Sequence, residues 1–262
     1  MGLPSSLPAA GHRSVALGRE PDSKRADGNP RSNPPLGTVG LILASSLVLL
    51  YQELVLSGDP WLLYAGGAIP FELANQKDLV DGNLHPPALL PLPFTIFSAM
   101  FLHGATTHLL GNAWFLWVFG KSVEGALGTG RFLFFYFLTG VLAEIFQVAM
   151  NPGSRIPIVG ASGAIAGVLG AFLVLYPRAR VDLLLFVSVV VDVVAVPSYI
   201  ALGAWFLWQL LSDSADGSIA IWAHVGGFLM GAASCKLLAC KALPIERPSW
   251  NATATESSSS PR

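Results

Sequence analysis

Residues 159–170 read VGASGAIAGVLG, and Ser162 carries the only polar side-chain atom among the twelve. Small residues recur around it at three- and four-residue spacing, which lays a smooth strip along one face of a helix. In a membrane such a strip lets a second helix backbone approach closely. A serine in a membrane helix also commonly bonds back to a carbonyl one turn earlier. On these twelve residues alone, Ser162 is either one more small packing residue or a reagent that the packing holds in place.

The composition around the stretch sets the class. Hydrophobic residues make up 53% of the 262 and charged residues 12%, against about 25% charge in an average soluble domain. Too little charge remains to cover a water-facing surface, so the predicted fold is an all-α polytopic membrane protein. A net charge of −1 offers no basic field for nucleic acid. Cys235 and Cys240 are too few for a disulfide framework or a zinc ribbon, and read as buried or lipid-facing thiols.

Apolar segments near the ~20 residues of a helical span run over 38–57, 95–118, 131–150, 160–177, 190–211 and 219–240. They define a six-helix domain over 37–242. Residues 1–36 and 243–262, rich in Pro, Gly, Ser and charge, are expected to be disordered tails. The stretch 181–211 is too long for one span, and Pro197 and Asp192 place its first part near the interface. Lys and Arg concentrate in both tails and on the loops of one side, with only Lys77 and Arg155 opposite. That asymmetry predicts cytosolic termini. The first long apolar run begins near Leu36, too late for a cleavable signal, so a bacterial cytoplasmic membrane is the default and a eukaryotic organelle the alternative.

Polar groups inside hydrocarbon are costly, and each needs a reason to be there. The second segment opens FLHGATTHLLGNAWFLW, with His103, His108 and Asn112; the sixth contains AHVGG, with His224. By topology Ser162, His108, Asn112 and His224 lie at one shallow depth under the external face. The set suits acyl transfer. A serine hydroxyl needs a neighbouring base, for which imidazole is the usual choice, so Ser162 and His224 are the candidate pair. Asn112, His108 and the Ser162 backbone N–H are candidate oxyanion donors. Gly227 and Gly231 would let the sixth helix close on the fourth. No carboxylate is clearly placed as a third member; Glu144 and Asp192 read as structural or interfacial acids. A dyad is therefore expected. His103, His108 and His224 also suit a haem or metal site, but H-E-x-x-H is missing, and no metal or cofactor is expected. GASGA departs from the soluble G-x-S-x-G elbow at Ala164.

These residues resemble the rhomboid intramembrane serine proteases. The resemblance covers about residues 36–240 and rests on HGATTHLLGN (103–112), FGKSVEGALGTGRFLFFY (119–136), GASGAIAG (160–167) and AHVGGFLMG (223–231). YAGGAIPFELA (64–74) is similar to the family's first external loop. The resemblance implies a six-transmembrane-helix bundle with a hydrated cavity open to the outside, Ser162 as nucleophile, His224 as base, and His108 with Asn112 as oxyanion donors. It implies single-pass transmembrane proteins as substrates, cut near their outer ends, in the lipid bilayer and without a cofactor. It also makes the fifth helix a lateral gate, with residues 212–218 as its cap, and Glu124 a structural acid held to nearby backbone or to Arg131. One departure is Ala166, where many members carry an aromatic against which the imidazole packs. The alternative from another class is a catalytically silent rhomboid-like protein that binds client helices.

Overall fold

A computed structural model describes residues 34–80, 85–187, 190–212 and 220–239. Residues 1–33 of the first expected tail, the whole of the second, Cys240 and all but Ser212 of the expected cap lie outside the described residues.

Helix α1 spans Leu36–Leu54 and buries Thr38, Leu41, Ser45, Leu49 and Gln52, a stripe at three- and four-residue spacing. Leu43, Leu47 and Leu50 on the rest of its surface are exposed, as befits a helix bordered by lipid. The long connection after it forms two short helices, α2 (Trp61–Gly66) and α3 (Pro70–Asn75). Ala68 and Ile158 exchange both backbone hydrogen bonds, at 2.8 and 3.1 Å, so this connection clasps the segment leading to Ser162.

The second expected span is not one helix over 95–118. It divides into α4 (Thr95–Ala99), an irregular stretch through His103 and Gly104, α5 (Thr106–Phe115), a π turn over Leu116–Gly120, and α6 (Lys121–Leu127). The break falls where Ala105 adopts an extended backbone. The peptide groups freed there find side-chain partners: the Gln52 amide donates to the His103 carbonyl at 3.2 Å.

Helix α7 (Thr129–Met150) and helix α8 (Ser162–Leu175) form the centre. Every residue of α8 from Gly163 to Phe172 is buried, against Phe132, Phe135 and Tyr136 of α7 among others. An apolar helix covered on all sides is a core helix of a membrane bundle. Residues Arg180–Val187 and Val190–Pro197 then pair as antiparallel strands β1 and β2. This hairpin corrects the all-α expectation. Valine dominates the second strand, and β-branched side chains favour extended backbone over helix. Pro197 ends it, and α9 (Ser198–Leu211) begins at the next residue. The last helix, α10, runs Ile221–Ala239.

Helices α1 and α7 are each long and apolar enough to cross a membrane. With the apolar α8 and α9, they make the chain a helical membrane protein.

At the end of the bundle away from Ser162, Glu124 of α6 gathers three elements. Its carboxylate accepts the Gly37 and Thr38 N–H groups and the Thr38 hydroxyl, each at 2.8 Å, and the Thr129 hydroxyl at 2.7 Å. Burial pushes this carboxyl's pKa up, but the four donors outweigh it and hold the pKa below the ordinary glutamate value. The partners are thus the start of α1 and the start of α7, rather than Arg131.

Candidate active site

Ser162 is the first residue of α8. The leading N–H groups of a helix have no intrahelical acceptor and carry partial positive charge. Just before it, Gly160 holds a φ of +113° and donates its N–H to the Ala99 carbonyl at 2.8 Å. Only glycine adopts that backbone readily. A side chain there would also strike the His108 ring, with its Cβ 2.7 Å from Cε1. The turn at Gly160 therefore brings the start of α8 against His108.

His224 lies in the first turns of α10, whose backbone is pressed onto α8. A Cβ on Gly227 would collide with the Gly163 carbonyl oxygen, and one on Gly231 with that of Gly167. Backbone contact of this kind requires glycine at 227 and 231, while the bare sides of Gly163 and Gly167 face Ala143 and Thr139 of α7. It places the His224 Nε2 2.8 Å from the Ser162 Oγ. Gln147 of α7 supports the same turn by accepting the Ala223 N–H at 3.0 Å.

The other face of the imidazole meets α9. Its Nδ1 lies 2.8 Å from the Gln209 Oε1. The Trp205 ring, one turn earlier on α9, sits 6.2 Å from the imidazole, centroid to centroid. Trp205 and Gln209 are four apart and so share a face. The sequence offered little warning of Gln209, because an isolated glutamine near a helix end has no motif around it. What did point here was the Ala166 position, which left the imidazole in need of some other neighbour.

Of the remaining candidates, His103 is buried, and its ring bridges two partners. Nδ1 is 3.1 Å from the Phe101 carbonyl oxygen and Nε2 is 3.0 Å from the Asn112 amide nitrogen. A carbonyl accepts only, so Nδ1 carries the proton and Nε2 accepts from the Asn112 NH₂. One Asn112 N–H is thereby spent and the other is left to donate elsewhere. The His103 and His108 rings meet edge to face at 5.2 Å. Glu144 is buried within α7, and its Oε2 has no partner among the described residues. No group of three His, Cys, Asp or Glu is arranged to hold a metal ion among the described residues.

Ser162, His108, His224, Gln147 and Gln209 line a single cavity of about 520 Å³, together with Asn151, Ser154 and Ser212. The polar wall is concentrated at the ends of α7 and α9 and the starts of α8 and α10. A helical membrane protein thus holds a serine–histidine pair on the wall of a polar cavity.

Comparison with known proteins names the class. The Rhomboid domain family model matches residues 93–240, more than half of the chain, and the chain belongs to that family. Similar proteins include the mitochondrial Rhomboid protein 1 of Saccharomyces cerevisiae, 34% identical over 60% of this chain and 42% of its own. Rhomboid protease GluP of Bacillus subtilis is 33% identical over 52% of this chain and 24% of its own. The mitochondrial Presenilin-associated rhomboid-like protein A of Danio rerio is 31% identical over 60% and 41%. The matched part is thus less than half the length of each of these relatives.

Proposed function

We propose that this chain is an intramembrane serine protease that cleaves single-pass transmembrane proteins near the outer boundary of the bilayer. The observation that carries the reading is the 2.8 Å contact between Ser162 Oγ and His224 Nε2 on the wall of a polar cavity. Its relatives support it, one of them being named a rhomboid protease.

In this mechanism His224 Nε2 takes the proton from Ser162 as Oγ attacks the scissile carbonyl. The oxyanion is met by the N–H groups at the start of α8, by the free Asn112 N–H and by His108. The imidazolium then returns its proton to the leaving amine, and water releases the acyl group by the same steps in reverse. A peptide bond within a helix is shielded, and unwinding it in lipid would strand its polar groups. The polar cavity supplies partners for them. Substrates are therefore expected to carry small or helix-breaking residues beside the cut. The same reading takes the bundle as six spans, with both termini in the cytosol and the cavity facing outside.

The test is labelling by a fluorophosphonate in detergent. Wild type should be labelled and Ser162→Ala should not. A folded wild type that stays unlabelled would remove the protease reading and leave that of a silent client-binding protein.

A further inference from the structure

We propose that Gln209 is the positioning residue of the site, fixing the tautomer and plane of the His224 ring in place of a carboxylate. The inference rests on the protease reading above and deepens it. An imidazole serves as base through Nε2 only if its proton sits on Nδ1. The Gln209 Oε1 lies 2.8 Å from Nδ1 and accepts that proton's hydrogen bond. The Nε2 lone pair is then directed at the Ser162 hydroxyl, also 2.8 Å away. Among the described residues no carboxylate makes a hydrogen bond to His224, so the amide occupies the orienting place.

The ring is held in its plane by the same helix. Trp205 lies one turn from Gln209, packs beside the imidazole, and is anchored in turn on Phe228 of α10 with ring centroids 5.9 Å apart. Residue 166 contributes only a buried methyl group. Orientation of the base therefore belongs to α9, while the nucleophile and the base themselves belong to α8 and α10. Gln209 and Ser212 of α9's end also line the cavity, so the orienting bond lies within reach of whatever enters.

The experiment measures fluorophosphonate labelling of the full chain as a function of probe concentration. This separates the chemical rate constant, kinact, from the occupancy constant, KI. Gln209→Leu removes the acceptor at similar volume and should lower kinact by about 10–10²-fold, the scale of a misaligned catalytic group, with KI unchanged. Gln209→Glu restores an acceptor and should recover most of kinact. Thermal stability in detergent should be the same for all three proteins. Wild-type kinact in Gln209→Leu would overturn the proposal. So would a Gln209→Glu protein as slow as Gln209→Leu, including the case where Gln209→Leu alone loses stability. Ser162→Ala separates this from the protease reading. If wild type and Ser162→Ala label alike, the reading and the inference fall together. If only wild type labels and Gln209→Leu matches it, the inference alone falls.

Discussion

Helix α10 packs against α7, α8 and α9, and its seams with α8 and α9 are built differently. Toward α8 the contact is backbone on backbone: Gly163 and Gly167 meet Gly227 and Gly231, and Gly170 abuts the Phe228 carbonyl. Toward α9 the contact is side chain on side chain. Phe206 stacks on Phe228 with centroids 4.7 Å apart, Trp205 lies beside His224, and Gln209 bonds to it. The outer face of α9 is open, with Leu207, Trp208 and Leu211 exposed. The first seam leaves no slack, because backbone atoms have nowhere to relax. The second can shift by rotamer changes. One seam therefore sets the distance between Ser162 and His224, and the other sets the orientation of the His224 ring.

The strongest way to break this comparison is to add a side chain to the tight seam. Gly227→Val would drive a branched Cβ into the Gly163 carbonyl and against the Ala143 methyl. Overpacking commonly costs about 1–3 kcal/mol and more where backbone must move, so about 3 kcal/mol or more is expected here. Thermal unfolding in detergent should shift down and labelling of Ser162 should vanish with it. A variant with wild-type stability and labelling would show that the seam has slack after all.

Asn112→Ala probes the site with both seams intact. If the free Asn112 N–H meets the oxyanion, its loss should lower turnover of a transmembrane substrate by about 10²–10³, and by less if His108 and the α8 N–H groups share the charge. Melting should be almost unchanged. The His103 pairing adds a sharper form of the test. His103→Leu frees the Asn112 amide to turn, and should reproduce part of the same loss without touching Ser162 or His224. Full activity in both variants would move the oxyanion elsewhere.

Helices α1, α7, α8 and α10 and the closeness of Ser162 to His224 were legible in the sequence, because polar atoms inside apolar runs are rare enough to attract notice. The glycines made the α8–α10 approach legible too. Three features were not. The break at Gly104 and Ala105 depends on Gln52, fifty residues away, satisfying the exposed peptide groups. The β1–β2 hairpin sits in a run of valines and leucines that reads equally well as a buried helix, since a continuous apolar run has no distinguishing period. Gln209 acquires its meaning only from the 2.8 Å contact with Nδ1, and long-range pairing of that kind leaves no local signature. The Glu124 partners were hidden for the same reason: they are two backbone N–H groups and two hydroxyls, and a backbone donor leaves no mark in the sequence.

Glu124 lies outside both seams, at the opposite end of the bundle, and should affect stability without affecting chemistry. Its pKa is depressed in the folded protein, so its contribution is present in full above the ordinary glutamate value of 4.5. It is lost as pH falls through the lower folded value. Glu124→Gln keeps an acceptor but gives up the charge-assisted share of four hydrogen bonds, an expected cost of about 1–2 kcal/mol at neutral pH. The gap in melting temperature between wild type and Glu124→Gln should narrow as pH is lowered below 4.5. A gap that stays constant with pH would mean the carboxylate is not charged in the folded state. Labelling of Ser162 by the fluorophosphonate should be the same in both proteins at neutral pH.

The smallest effect is expected on the loose side. Gly203 of α9 has nothing within 4 Å of where a Cβ would stand, in contrast to every glycine of the α8–α10 seam. Gly203→Ala therefore meets no steric cost and removes backbone freedom from a helix interior, a gain of up to about 1 kcal/mol. Labelling should stay within about twofold of wild type, a change of less than about 0.5 kcal/mol in the barrier. The same substitution at Gly227 or Gly231 places a methyl group on a carbonyl oxygen, so the pair of alanine variants compares the seams at constant chemistry. If Gly203→Ala instead slowed labelling while leaving the melt intact or raising it, α9 would have to bend at that glycine for Gln209 to reach the imidazole. The orienting bond would then be a property of a flexing helix rather than of its resting position.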